Sequence, residues 1–251
     1  MTPERPLLSV LMPVFNETGS IRQILAKVRA VPLDLEIVVI DDGSSDGTRQ
    51  ILEDEGRVAG TRVILHPHNL GKGAAIRTGL REVRGRYVVV QDADLEYEPD
   101  ELPGLLAPLE ADEADVVYGS RFLGNPQDMS LLHLLGNKFL TLATNVLYGA
   151  RLTDMETCYK VFRTELVQPM TIVSDRFDFE PEITAKVLRM GLRVAERPIR
   201  YHGRKAHEGK KITWRDGFAA LAALWRWRWA TMSTIRGSGA NPTAERTIPN
   251  R

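Results

Sequence analysis

An α/β chain built on a mostly parallel, twisted sheet with helices on both faces is the fold class that this sequence predicts. Two observations predict it. Short runs that are apolar on consecutive residues, such as Leu8–Phe15 and Leu35–Ile40, alternate with segments of helical periodicity. The runs do not alternate apolar with polar, so both faces of each strand are expected to be covered, as in parallel sheets.

Taken in order, Leu8–Phe15 is a strand. Asn16–Ser20 follows as a turn and helix cap, and Ile21, Leu25 and Val28 recur at helical spacing. Leu35–Ile40 is a second strand, ended by Asp41-Asp42-Gly43-Ser44-Ser45-Asp46-Gly47, and Thr48, Ile51 and Leu52 mark the next helix. Arg62–Leu65 is a third strand, Gly73–Val83 a helix, and Tyr87–Val90 a fourth strand that runs into Gln91-Asp92-Ala93-Asp94. A short helix over Glu101–Glu110 and a fifth strand over Asp115–Tyr118 complete the regular part. Beyond it the pattern predicts helices at Leu131–Leu147 and Glu180–Met190 and a strand at Arg193–Tyr201. A last helix with tryptophans is expected over about 213–235. Residues 1–236 are therefore expected to form one domain, and the Gly/Pro/polar segment 237–251 a disordered tail.

Lys plus Arg and Asp plus Glu both number 33 among 251 residues, which excludes a bulk field attracting nucleic acid. The one cysteine, Cys158, has no partner within the chain and fits a reducing, cytoplasmic setting. No leader is visible at the N-terminus, and no uncharged apolar run approaches the ~18 residues of a membrane span.

In open parallel sheets, ligands bind beyond the carboxyl ends of the strands. Three such ends carry polar clusters here: Asn16-Glu17, Asp41–Ser44 and Asp92-Ala93-Asp94. Each alone is also what a capping turn looks like; three on one sheet edge point to a site. Asp92, Asp94 and Glu96 offer hard oxygen ligands at two-residue spacing, a set suited to Mg²⁺ or Mn²⁺ shared with phosphate oxygens. The bland reading is a solvated acidic loop, since Glu98, Asp100 and Glu101 follow.

Four segments carry a resemblance: Pro13–Glu17, Asp41–Thr48, Asn69-Leu70-Gly71-Lys72-Gly73 and Asp92–Glu96. Together and in this order they resemble the family 2 glycosyltransferases with a GT-A, Rossmann-like fold, over roughly residues 7–230. Gly119-Ser120-Arg121 and Asp154–Lys160 resemble the branch containing dolichol-phosphate mannose synthase and its bacterial polyprenyl-phosphate relatives. The resemblance implies an inverting transfer of a hexose, mannose or glucose, from a GDP- or UDP-sugar such as GDP-mannose or UDP-glucose to a lipid phosphate. It implies that Pro13, Phe15, Glu17 and Asp42 surround the base and ribose, and that Asp92 and Ala93 lie by the ribose. Asp94 and Glu96 would ligate the metal, with Asp92 beside it; the family often has Gln at the Glu96 position. Arg121 would meet the acceptor phosphate.

The remaining candidates have two readings each. Lys72 lacks the GxxxxGK[ST] spacing of a P-loop and is either a donor contact or a surface lysine. One of His133, Asn137 and Lys138 is a second acceptor-phosphate contact, although the mannose synthases usually show an arginine in that segment. Arg204 and Lys210, in the basic loop Tyr201–Lys211, close on the diphosphate or simply face solvent; the loop is one residue longer than the mannose-synthase pattern. Glu180 and Glu182 cap a helix or face the sugar. In the last helix Phe218, Leu221, Trp225, Trp229 and Met232 form one stripe, which either packs on the domain or lies on the cytoplasmic face of a membrane. Two other functions stand beside lipid-phosphate transfer. One is transfer to a sugar hydroxyl, with Glu156 or Glu180 as base; the other is nucleotide-sugar binding without turnover.

Overall fold

The structure is a computed structural model, and it describes residues 5–124, 126, 129–203 and 214–236. Its centre is a seven-stranded sheet in the order β3-β2-β1-β4-β6-β5-β7. The strands are β1 (Leu8–Val14), β2 (Leu35–Asp41), β3 (Thr61–Leu65), β4 (Tyr87–Val90), β5 (Val116–Ser120), β6 (Lys160–Arg163) and β7 (Val194–Pro198). Neighbours β3-β2-β1-β4 are all parallel, as are β5 and β7; β6 runs antiparallel to both β4 and β5. All seven residues of β1 are buried although alternate side chains point to opposite faces, so the sheet is covered on both sides as the sequence predicts.

The helices are α1 (Ile21–Arg29), α2 (Thr48–Glu55), α3 (Lys72–Leu80), α4 (Leu102–Glu110), α5 (Leu131–Tyr148), α6 (Thr164–Val167), α7 (Phe179–Arg189), α8 (Trp214–Arg228) and α9 (Met232–Arg236). α1 buries Ile21, Ile24, Leu25 and Val28, the face its periodicity predicts. α3 packs on β1 and β2, and α4 on β5, β6 and β7. None of the described helices is long and apolar enough to cross a membrane.

Three elements differ from expectation. β6 and α6 were not predicted; Lys-Val-Phe-Arg is four residues long with a cation at each end, too short and too polar to show a strand period. The expected single last helix is broken after Arg228. Thr231 begins α9 by accepting from the Thr234 N–H at 3.4 Å, and Arg189 donates to the Ala230 carbonyl at 2.9 Å, satisfying the backbone where the helix stops. The tail 237–251 lies outside the described residues.

Candidate functional site

β1 continues to β2 on one side and has β4 on the other, so the sheet changes direction between β1 and β4. That is where a crevice opens at the carboxyl edge of such sheets. The chain leaving β1 is laced to the chain leaving β2. Asn16, at φ 55°, donates its N–H to Ser44 Oγ and accepts from the Ser45 N–H, both at 2.9 Å. The Glu17 N–H donates to Thr48 Oγ1 at 2.8 Å. Pro13 is buried within β1, while Phe15 and Glu17 are half-buried just beyond it.

The two aspartates ending β2 have different partners. Asp41 is fully buried and accepts from Arg49 Nε and Nη2 at 2.8 and 2.6 Å. Asp42 Oδ1 lies 2.8 Å from His66 Nδ1 and accepts from the Leu70 N–H at 2.9 Å, while Oδ2 accepts from the Gly71 N–H at 2.7 Å. Both Asp42 oxygens thus hold the segment that leads to Lys72. Asp42→Ala is expected to weaken nucleoside diphosphate binding roughly tenfold to a hundredfold, because losing charge-assisted hydrogen bonds releases that loop. Calorimetry with UDP and GDP checks this; unchanged affinity for both contradicts it.

Gly71 and Gly73 are required by close approach. A Cβ on Gly71 would lie 2.1 Å from the Asp175 carbonyl oxygen, and one on Gly73 2.2 Å from that of Ser174. The opposing segment is itself fixed from below, because buried Glu182 accepts from the N–H groups of Val173 and Ser174 at 3.0 and 2.7 Å. The turn aims Lys72 across the crevice, where Nζ sits 2.7 Å from Asp92 Oδ1 and 3.7 Å from Glu180 Oε1. Burial opposes the charge on Lys72, but Asp92 and Glu180 outweigh it and hold its pKa well above the ordinary lysine value. Lys72 is therefore a paired cation inside the site rather than a surface lysine.

After β4, Ala93 is buried, and Asp92, Asp94 and Glu96 are half-buried. Asp94 Oδ1 accepts from the Glu96 N–H at 3.2 Å, and Glu96 Oε2 accepts from Tyr201 OH at 2.9 Å. Among the described residues no three Asp, Glu, His or Cys side chains gather closely enough to cage a cation. Asp92, Asp94 and Glu96 present hard oxygens only, a donor set that fits Mg²⁺ or Mn²⁺ completed by phosphate oxygens rather than a protein-only cage.

Arg121, just after β5, is buried. Its Nε and Nη2 donate to Asp154 Oδ2 and Oδ1 at 2.7 and 2.8 Å, and its own N–H donates to Oδ2 at 3.0 Å. Its guanidinium carbon stands 5.2 Å from the Tyr201 ring centroid and 5.8 Å from that of Phe122. Lys138 Nζ is 5.1 Å from the same Phe122 ring, so Arg121 and Lys138 are brought to one aromatic side chain. Ser130 caps α5 by accepting from the His133 N–H at 3.4 Å, and His133 Nδ1 lies 2.5 Å from the same hydroxyl. Arg204 and Lys210 lie outside the described residues.

Between these groups lies a charged layer. Lys160 is buried, donates to the Thr157 carbonyl at 2.5 Å and pairs with Glu180. Glu156 has an oxygen, Oε1, shielded from solvent and without a hydrogen bond among the described residues. Burial pushes the Glu156 carboxyl up to about 7; Lys160 and Arg121 oppose the shift, and Glu180 and Asp154 add to it. Sequence reasoning missed the Lys72–Asp92 and Arg121–Asp154 pairs, whose members are 20 and 33 residues apart. It also missed Glu196 of β7, which accepts from the Thr153 and Asp154 N–H groups at 2.9 and 3.1 Å. The only sequence signal was the run of Asp154, Glu156 and Lys160 in one short segment.

A family model described as glycosyl transferase family 2 matches residues 9–170. The low-salt glycan biosynthesis hexosyltransferase Agl6 of Haloferax volcanii is 35% identical over 219 residues, 85% of this chain and 52% of that protein. An undecaprenyl-phosphate 4-deoxy-4-formamido-L-arabinose transferase of Pseudomonas fluorescens is 32% identical over 213 residues, 82% of this chain and 60% of that protein. The chain thus spans about half to three fifths of the length of these two relatives. Among solved structures, glucosyl-3-phosphoglycerate synthase from Mycobacterium tuberculosis, in complex with Mn²⁺, UDP and phosphoglyceric acid, shares the fold. The TM-score is 0.68 at 19% identity, covering 93% of this chain and 81% of that one.

Proposed function

The chain belongs to glycosyl transferase family 2, and from that premise we propose that it moves a hexose from a nucleoside diphosphate sugar to a polyprenyl phosphate. The carrying observation is the gathering of two charged sets at the carboxyl ends of β4 and β5. Lys72 pairs with Asp92 beside Asp94 and Glu96 in one, and Arg121 and Lys138 share Phe122 in the other, with Tyr201 touching both Glu96 and Arg121. The first set suits a diphosphate with its counter-ion; the second suits an anionic acceptor. The likeness to the Pseudomonas undecaprenyl-phosphate 4-deoxy-4-formamido-L-arabinose transferase supports the same acceptor class.

In the reaction, an acceptor phosphate oxygen forms the new bond to the anomeric carbon as the bond from that carbon to the diphosphate breaks. Mg²⁺ or Mn²⁺, when bound, stabilises the charge gathering on the leaving diphosphate. Asp94 and Glu96 would hold that cation, with Asp92 beside it. Asp92 also fixes Lys72, whose cation lies near the same leaving group. Asp42 holds the backbone from which Lys72 projects. The acceptor is already anionic at neutral pH, so the step needs no strong base.

A second reading, transfer to a hydroxyl, is favoured by one feature: Glu156, pushed up to about 7, is poised as a general base. Glu156→Gln separates the two. With a phosphate acceptor, the variant keeps transfer within about threefold of wild type, because general-base help is not drawn on. With a hydroxyl acceptor, transfer falls roughly a hundredfold or more, and the wild-type rate declines as pH drops below about 7. The raised carboxyl also has a stability consequence. The folded state holds the Glu156 proton between the ordinary 4.5 and about 7, so stability falls as pH rises through that window. Glu156→Gln should therefore raise the Tm at pH above about 7 and not below about 4.5. Equal Tm gains at both ends would contradict the assignment of that proton. Transfer assays that offer polyprenyl phosphate, polyprenol and phosphoglycerate side by side test the acceptor; label in the polyprenol or phosphoglycerate product alone overturns the proposal.

A further inference from the structure

We propose that Glu182 of α7, paired with Lys186, is a positioning residue for Lys72 and acts on it through segment 171–175. The carboxylate and the ammonium lie one turn apart on α7, and both side chains are 0% exposed. Burying two opposite charges this deeply costs about as much as their attraction returns, so a pair of apolar side chains would serve the core equally well. What an apolar pair lacks is hydrogen bonding, and beyond the bond within the pair it is directed here at one segment. The Glu182 oxygens accept from the Val173 and Ser174 N–H groups at 3.0 and 2.7 Å. Lys186 donates to the Thr171 carbonyl, and its Nζ stands 3.7 Å from the ring centroid of Trp227 on α8.

Segment 171–175 belongs to no helix or strand, so neither ladder orders it. Its other side is the seat of Lys72. The Asp175 carbonyl accepts from the Ala74 N–H at 3.2 Å, and Arg77 of α3 donates to Asp175 Oδ1 at 2.7 Å. The carbonyls of Asp175 and Ser174 occupy the space that a Cβ on Gly71 or Gly73 would need. Lys72 stands between those glycines as the first residue of α3, so its backbone cannot shift toward the segment unless the segment moves first. The contacts therefore run from the Glu182–Lys186 pair to Val173 and Ser174, from there to Gly71 and Gly73, and end at Lys72 Nζ on Asp92. The consequence for transfer rests on the role proposed for Lys72 at the leaving diphosphate; the placement of Lys72 does not.

The test is pulsed acetylation of lysines in the full 251-residue chain, read residue by residue by peptide mass mapping, beside transfer rates. Glu182→Gln alone leaves the Lys186 cation unpaired in the core and risks the fold. The double variant Glu182→Gln, Lys186→Met removes both charges at similar volume and is used with it. Lys160, which is buried and pairs with Glu180 of the same helix, is the internal control. In the double variant, Lys72 labelling is expected to rise by on the order of tenfold as segment 171–175 opens locally, with Lys160 as protected as in wild type. Transfer should fall roughly tenfold to a hundredfold, since a misplacement of about 1 Å costs on the order of a hundredfold in rate. In a Lys72→Met background the same two substitutions should cost almost nothing further, because the group they position is gone. Unchanged Lys72 labelling overturns the proposal. So does a rise at Lys72 and Lys160 together, which assigns the pair to the fold at large, and so does an equal transfer loss in the Lys72→Met background. Transfer that runs only to an acceptor other than a lipid phosphate, with labelling and cycle as expected, keeps the positioning and overturns the acceptor alone.

Discussion

Asp94→Ala is expected to lower transfer by about a thousandfold or more while leaving the Tm within a few degrees of wild type. The loss is large because the charge that develops on the leaving diphosphate is met by fixed partners, and removal of one such partner in enzymes costs on the order of 10²–10³ in rate. Asp94 also supplies a metal ligand in this account, so the variant forfeits the cation's share as well. The fold should survive because Asp94 is half-buried in a loop after β4, and the described hydrogen bond it gives up, from the Glu96 N–H, is 3.2 Å long and local. Transfer rate against Mn²⁺ concentration is the measurement. Rescue by excess Mn²⁺ would point to a weakened but competent metal site. Full wild-type activity in excess EDTA would contradict metal use altogether.

Arg121→Ala should be the most destabilising of the substitutions considered. The Arg121 and Asp154 side chains are 7% and 0% exposed, and the pair is joined through both nitrogens of the guanidinium edge. Breaking a buried pair from one side leaves an uncompensated charge, which costs about 3–5 kcal/mol. In a chain of this size that lowers the Tm by roughly 10 °C. The pair occupies Nε–H and one N–H of Nη2, so an acceptor phosphate must be met by Nη1 or the second Nη2 N–H. Asp154→Asn separates the two roles, because it breaks the same ion pair and leaves the cation in place. The lipid-phosphate account predicts a lower Tm in both variants, with acceptor KM raised roughly tenfold more in Arg121→Ala than in Asp154→Asn. Arg121→Lys should recover only part of the acceptor affinity because it lacks the planar fork. Equal acceptor kinetics in the two variants would assign Arg121 to the fold alone.

Much of this architecture was legible because parallel strands announce themselves. β1, β2 and β4 are runs of Val, Ile and Leu buried on both faces, and each is followed by the polar turn that ends at the crevice. β6 was not legible. Lys160 lies inside that strand and is buried, a placement made tolerable by Glu180 from a distant helix. The same limit applies to the site. The sequence displays which acids and bases sit at strand ends, but not which of them neutralise one another. Asp42 was read as a donor contact, and its hold on the Leu70–Gly71 backbone was not legible beside that reading. Lys72 and Asp92 were separate candidates and are one ion pair. In the last helix the tryptophans were visible as a stripe, yet Trp227, one residue face away, is the one that packs inward over Lys186.

The central claim is tested most directly by incubating the purified chain with radiolabelled UDP- and GDP-hexoses, a polyprenyl phosphate and Mn²⁺ or Mg²⁺, and partitioning the products between water and an organic phase. The account predicts organic-phase label from one donor, dependent on the polyprenyl phosphate and abolished by EDTA. Label that stays in the aqueous phase with every donor, or that enters the organic phase equally well in EDTA, would contradict it.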